Sequence, residues 1–209
     1  MQVSNKLATA NKDTKVKNVS NVSSSLFRDD LQESLSRNHI LPSALSTFQR
    51  ILLTTDGTVT DILESYLFEQ IRVIKLSEKL VSLDRELPSM DLKEGTEVIL
   101  RKVLLQGKIS RKNAIYAESI VIPGNMEERF RKALLETKVP IGKIWFEQKV
   151  ETFKEILDSK KELAGELADY FDIEPSDEML SRTYRVVTNN KPVLTITEKF
   201  PESYFKTNF

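Results

Sequence analysis

The sequence has no cysteine and only one histidine, His39, among 209 residues. Without thiols there is no disulfide scaffold, thiolate nucleophile, cysteine zinc site or iron–sulfur cluster. One imidazole leaves little room for a histidine metal site, a serine–histidine triad or a histidine phosphorelay. An excess of charge of either sign is also missing, since 31 Lys and Arg balance 31 Asp and Glu. No global field therefore draws the chain to nucleic acid or to an anionic membrane. No apolar run is long enough to cross a bilayer, and the N-terminus carries no secretory hydrophobic segment, so a cytoplasmic protein is expected. What remains for chemistry is carboxylates, guanidinium groups and backbone amides.

The length suits one substantial core rather than two full domains. Residues 1–25 are rich in Asn, Lys, Ser and Thr, lack aromatics and show no sustained apolar period. They read as a disordered extension, with a single domain over 26–209. Pro42 opens a helical stretch with Leu45, Phe48, Ile51 and Leu52 on its apolar stripe and Ser46, Gln49 and Arg50 toward solvent. Thr58 is placed to cap a second short helix through Asp61, with Val59, Ile62, Leu63 and Tyr66 on the inner side. Residues 69–80 turn to β-branched alternation and read as a strand. Residues 98–105 and 114–122 form an antiparallel hairpin across a short link. A helix is expected over 126–137, broken by Pro140, Ile141 and Gly142. Residues 151–170 are charged and read as partly helical, with Leu163, Leu167 and Tyr170 toward the core. A last hairpin joins 182–188 to 193–200 through a loop at 189–192. The order is helices, three strands, helices, two strands, which points to a mostly antiparallel α+β domain without a useful internal repeat.

Period two puts Leu194, Ile196, Glu198 and Phe200 on one face of the last strand. A carboxylate among large apolar side chains must be neutral, paired, or hydrogen-bonded to something entering from solvent. Arg101 raises the same question, because it shares its strand face with Ile99, Val103 and Leu105. A guanidinium there needs an anion, and a planar carboxylate matches its fork. One solution is a structural bridge from Arg101 to Glu198 or Glu118; the other is a covered pocket in which Arg101 holds a substrate carboxylate and Glu198 handles a hydroxyl or a proton. Gly142 allows close main-chain approach, and the start of the helix at Thr58 and Val59 offers unpaired amides. Arg182 and Arg185 fall on opposite faces, so at most one enters a single pocket, and Arg182 is favoured. Trp145 and Phe146 read as core anchors, and His39 as a loop or surface residue without chemistry.

Four segments together resemble the chorismate lyase family, in its cyanobacterial and plastid-like branch: LSTFQRILLTTDGTVT at 45–60, ILRKVLLQG at 99–107, Ile141-Gly142 followed by Phe146, and KPVLTITEKFP at 191–201. The resemblance implies a six-stranded antiparallel sheet flanked by helices around an internal ligand cavity, one strand more than the pattern itself supplies. It implies conversion of chorismate to 4-hydroxybenzoate and pyruvate without metal or organic cofactor. The essential arginine resembles Arg101, the essential glutamate Glu198, and the pocket-lining backbone positions Val59 and Ile141. The better-known bacterial branch carries Met and Leu at those last two positions, so the side chains differ while an amide role is retained. Arg182 is the candidate for the second substrate carboxylate.

The resemblance makes a small molecule the partner and leaves monomer or homodimer open. It also leaves open a plastid stroma location and the quinone or other aromatic pathway served. A noncatalytic aromatic-acid sensor domain of related fold is the alternative, although residues 1–25 are too short and irregular for a recognition-helix unit. A purely structural domain with an Arg101–Glu198 bridge is a third reading.

Overall fold

Alternation of apolar and polar residues over strand-length segments, interrupted by turn residues, is the pattern of a sheet with one well-covered face. The computed structural model bears this out and describes residues 28–136 and 141–206. The expected disordered extension over 1–25 lies outside the described residues. The chain runs through α1 (Asp29–Arg37), α2 (Thr47–Thr54), α3 (Val59–Leu67), β1 (Ile71–Ser82), β2 (Glu97–Gly107), β3 (Asn113–Val121), α4 (Glu128–Glu136) and α5 (Ile141–Gln148). It continues with β4 (Phe153–Leu163), α6 (Ala168–Phe171), β5 (Glu178–Thr188) and β6 (Lys191–Pro201). All six strands form one antiparallel sheet in the order β1-β2-β3-β6-β5-β4.

The sixth strand is the correction to the sequence reading. FKEILDSKKEL over β4 is rich in Lys and Glu, which favour a helix, yet it forms an edge strand. Edge strands carry charge because one side of their backbone faces no partner and charge deters foreign pairing. Leu163 and Tyr170 are accordingly exposed rather than core residues. The last hairpin is tighter than expected: Asn189 and Asn190 both adopt positive φ (49° and 60°) in a two-residue turn, and Lys191 and Pro192 already belong to β6.

The sheet has an internal two-fold order that the residue sequence does not display. Two helices and a three-stranded meander, α2-α3-β1-β2-β3, are followed by a second set, α4-α5-β4-β5-β6, and the meanders join through their last strands. The registers repeat as well. Arg101 stands between Glu78 and Ser119 on its neighbours, and Arg182 between Ser159 and Glu198. Ala117 pairs with Glu198 as Ser119 pairs with Ile196. Each set even carries a bulge at the same place, at Leu76 in β1 and Leu157 in β4.

Helices α1 to α5 cover one face, packing with it in two apolar clusters. The first joins Phe48, Leu52 and Leu63 to Val73, Leu105 and Phe200; the second joins Phe130, Ile144 and Trp145 to Ile99, Tyr184 and Ile196. Smaller clusters under α6 and under the Pro88 turn shelter parts of the other face. In α2 the inner stripe is rotated from the expected one. Gln49 is buried and Ile51 exposed, because Ser46 and Gln49 close a capping box and the Gln49 amide donates to the carbonyls of Glu202 and Tyr204. Thr58 is the N-cap of α3 as expected, but its side chain makes no capping hydrogen bond.

Candidate functional site

The two apolar clusters leave a seam between them, and the buried charges of the covered face lie along it. A pocket of about 70 Å³ opens there, walled by Val73, Arg101, Ser119, Lys154, Tyr184 and Glu198 from the sheet and by Val59, Ile141, Gly142 and Trp145 from the helices. Parity explains the sheet wall: these strand positions pair across neighbouring strands and therefore share one face.

Glu198 is buried at 6% exposure and held at both oxygens. Arg182 Nε donates to Oε2 at 2.8 Å, and the Tyr184 hydroxyl donates to Oε1 at 3.0 Å. Arg182, only 1% exposed, also donates through Nη1 to the Thr55 carbonyl at 2.7 Å. The Glu198 carboxylate is thus fixed by a buried ion pair, while each oxygen keeps a lone pair for another donor. Burial pushes the Tyr184 hydroxyl well above its ordinary pKa, and the Glu198 carboxylate pushes in the same direction. Tyr184 therefore serves as a hydrogen-bond donor.

Arg101 is the opposite case. It is 6% exposed, its Nε is buried without a hydrogen-bond partner, and its nearest carboxylate, Glu78 Oε2, stands 3.6 Å away. Burial lowers its pKa, and the Glu78 charge opposes that shift. The expected bridge from Arg101 to Glu198 or Glu118 does not form. Glu198 belongs to Arg182, and Glu118 accepts from the Tyr116 hydroxyl on the other face. The internal symmetry states the difference compactly: where Arg182 meets Glu198 on the next strand, Arg101 meets Ser119.

Glu78 reaches Arg101 through the bulge at Leu76. Lys75 pairs with Val103 and Glu78 with Arg101, so two residues three apart share a face. Simple alternation from Val73 puts Glu78 on the opposite face, so the pattern held no signal for this contact.

The helical wall is made by two helix starts. Val59 opens α3 and Ile141 opens α5, where first-turn amides lack intrahelical acceptors. They meet closely at Gly142: a Cβ there would lie 2.6 Å from Thr58 Cγ2. The structure thus brings Arg101, Glu198, Val59, Ile141 and Gly142 to one pocket. Arg182 supports Glu198 from behind and does not line it. Arg185 lies on the other face and pairs with Glu155, as parity predicts. Trp145 is buried, stacks on Phe130 at 5.6 Å and also lines the pocket, whereas Phe146 is 82% exposed and no core anchor. His39 is exposed, with φ 54° after α1.

Residues 53–207 match the family model described as chorismate pyruvate-lyase, Rv2949c-like. The chain belongs to this family. It is 30% identical over 176 residues to the chorismate pyruvate-lyase of Mycobacterium leprae, covering 83% of this chain and 82% of that one. It is 26% identical over 164 residues to the chorismate pyruvate-lyase of Mycobacterium tuberculosis strain H37Rv, covering 75% and 81%. These relatives do not bear on the cyanobacterial and plastid-like branch. Among solved structures, the effector domain of PhnF from Mycobacterium smegmatis shares the fold, with TM-score 0.57 at 8% identity over 71% of this chain and 90% of that one.

Two members of the pocket were missed by sequence reasoning. Lys154 lay in the segment read as helical; once β4 is a strand, its two-residue spacing from buried Ile156 places it on the covered face. Lys154 Nζ donates to the Gly57 carbonyl at 2.7 Å and lies 5.5 Å from the Tyr184 ring centroid. Burial, and next the Arg182 charge, lower its pKa to about 8, against the pull of Glu198 and Asp56. Tyr184, two residues from Arg182 on the same strand, shares its buried face and offers a hydroxyl that the period-two pattern could have marked. No described helix is long and apolar enough to cross a membrane.

Proposed function

We propose that this protein is a chorismate lyase, releasing 4-hydroxybenzoate and pyruvate from chorismate in the cytoplasm, and that the pocket along the seam is its internal ligand cavity. The single observation that carries the reading is Arg101: a buried guanidinium facing a pocket without a hydrogen-bonded anion, in a chain of this family. Its fork takes the ring carboxylate, and the Val59 and Ile141 amides at the two helix starts supply further donors. At the other side Glu198, oriented by Arg182 and Tyr184, accepts the hydrogen bond of the ring 4-hydroxyl.

The reaction needs little more from the protein. The carbon–oxygen bond to the enolpyruvyl arm breaks, its electron pair leaves with the arm, and the ring carbon bearing the hydroxyl gives up its proton. The ring becomes aromatic, and a proton on the methylene carbon of the departing enol completes pyruvate. Aromatisation supplies the driving force, so residues that orient and desolvate a dianion suffice for catalysis. A pocket of about 70 Å³ has room for a few waters. A ring-sized acid needs more room than this, and separation of the α3 and α5 starts would provide it, which makes product release the expected slow step.

The test is incubation with chorismate, following aromatic product and pyruvate together. Equal amounts of both establish the lyase. Saturable chorismate binding without turnover establishes the sensor domain instead.

A further inference from the structure

We propose that Lys154 is the second anion-binding group of this pocket, receiving the carboxylate of the enolpyruvyl arm while Arg101 holds the ring carboxylate. The inference rests on the chorismate reading and adds to it the group that distinguishes substrate from product.

A dianion calls for two cations, and the buried Arg182 is committed elsewhere. Its Nε is spent on Glu198 and its Nη1 on the Thr55 carbonyl; its Nη2 is buried without a hydrogen-bond partner, but the residue does not line the pocket. Turning it toward a ligand would leave Glu198 buried and unpaired. Lys154 does line the pocket, and among the described residues its hydrogen bond is to a neutral carbonyl, that of Gly57. No carboxylate of the described residues lies within ion-pair distance of it.

Its position suits a ligand anchored at Arg101. Lys154 is on β4 and Arg101 on β2, four strand spacings apart, or about 19 Å along the sheet at ~4.8 Å each. Both long side chains turn into the same pocket, so their charged heads close that distance from opposite ends. In the internal two-fold, Lys154 occupies the place that Val73 holds in the first half, Lys154 pairing with Val186 as Val73 pairs with Leu105. One half therefore supplies a guanidinium without a hydrogen-bonded anion and the other an ammonium bonded to a neutral carbonyl, and the ligand lies across the seam. The Gly57 carbonyl sits just before the start of α3, so the same ammonium ties the substrate arm to the helix that covers it.

The experiment compares Lys154→Met, Lys154→Arg and Arg101→Ala with the wild type, measuring KM for chorismate and Kd for 4-hydroxybenzoate by titration. The product has lost the enolpyruvyl carboxylate. Lys154→Met should raise the chorismate KM about 10- to 100-fold, the worth of a charge-assisted hydrogen bond, with 4-hydroxybenzoate affinity within about 2-fold of wild type. Lys154→Arg should recover most of the loss, and Arg101→Ala should weaken both ligands. Removing a half-buried ammonium leaves no orphaned carboxylate, and a single cooperative thermal transition with a wild-type circular dichroism spectrum verifies the fold. An unchanged chorismate KM in Lys154→Met, or equal weakening of substrate and product, overturns the assignment to the arm. A wild-type protein that does not convert chorismate overturns the underlying reading instead.

Discussion

Arg101 and Glu198 both carry charge into an apolar strand face, but they resolve that burden differently. Glu198 has Arg182 and Tyr184, whereas Arg101 has Glu78 at 3.6 Å, an ion pair without a hydrogen bond, and a pocket. Arg101→Ala should therefore leave the fold largely intact while weakening 4-hydroxybenzoate binding about 10- to 100-fold, measured by titration. Glu198→Ala should behave in the opposite way. It strands Arg182 as an unpaired buried charge, so a loss of about 3–5 kcal/mol is expected in urea unfolding. Glu198→Gln keeps the shape and an acceptor oxygen, so its loss of turnover should exceed its loss of stability. Lys154 brings a pH dependence whose sign follows from its lowered pKa of about 8, set by burial and by Arg182 against Glu198 and Asp56. Between pH 8 and the ordinary lysine value of 10.5, the unfolded chain holds a proton that the folded chain has released, so this lysine makes stability rise with pH. Chorismate affinity should fall over the same interval as the ammonium is lost. Unfolding midpoints and KM at pH 7.5 and 9, each compared with Lys154→Met, check both signs.

At the scale of elements, the cover over the pocket is two helix starts in contact, and Gly142 is what lets them touch. Gly142→Ala places a methyl group 2.6 Å from Thr58 Cγ2, and the cheapest relief is separation of α3 from α5. The Val59 and Ile141 amides would then move off the ligand. A several-fold rise in KM is expected, of the size that small displacements of positioning groups produce. Thr58→Ala removes the obstructing methyl, so the double variant should regain near wild-type KM. A double variant as impaired as Gly142→Ala alone would show that the helix starts do not position the ligand. The bulges act at the same scale. One extra residue at Leu76 turns Glu78 toward Arg101, and the matching bulge at Leu157 keeps Lys154 and Ser159 on the covered face together.

Across the whole molecule, the site lies where two similar halves meet. Each half brings two helices, a bulged outer strand and a central strand with a buried arginine; Arg182 is hydrogen-bonded to Glu198, while Arg101, 3.6 Å from Glu78, is the one we propose for a ligand. A ligand spanning that seam should couple the halves and stabilise the fold by mass action. At a hundred times its Kd, 4-hydroxybenzoate adds about 2.7 kcal/mol, a rise in Tm of roughly 5–10 °C for a chain of this size. Thermal unfolding with and without the acid measures it, and at the same acid concentration the 10- to 100-fold weaker Arg101→Ala should keep only about 0.4–1.4 kcal/mol, a rise of roughly 1–5 °C.

Much of this was legible in residue order because burial follows a period of two along a strand. That period put Glu198 with Leu194, Ile196 and Phe200, put Arg101 with Ile99, Val103 and Leu105, and separated Arg182 from Arg185, all as the structure has them. Turn residues located the hairpins, and the family's segments marked the same arginine and glutamate. The period fails where burial is one-sided or interrupted. The edge strand β4 keeps so much charge that it reads as a helix, and with it Lys154 was lost; a bulge cannot be counted from composition, and with it Glu78 was lost. Which anion each arginine meets depends on strand order and register, and these are contacts between residues far apart in the chain. The sequence alone determined that Arg101 and Glu198 are buried, because burial within an unbroken strand follows local pattern. Only the tertiary structure decided that Glu198 meets Arg182 and not Arg101, because that contact depends on strand order and register.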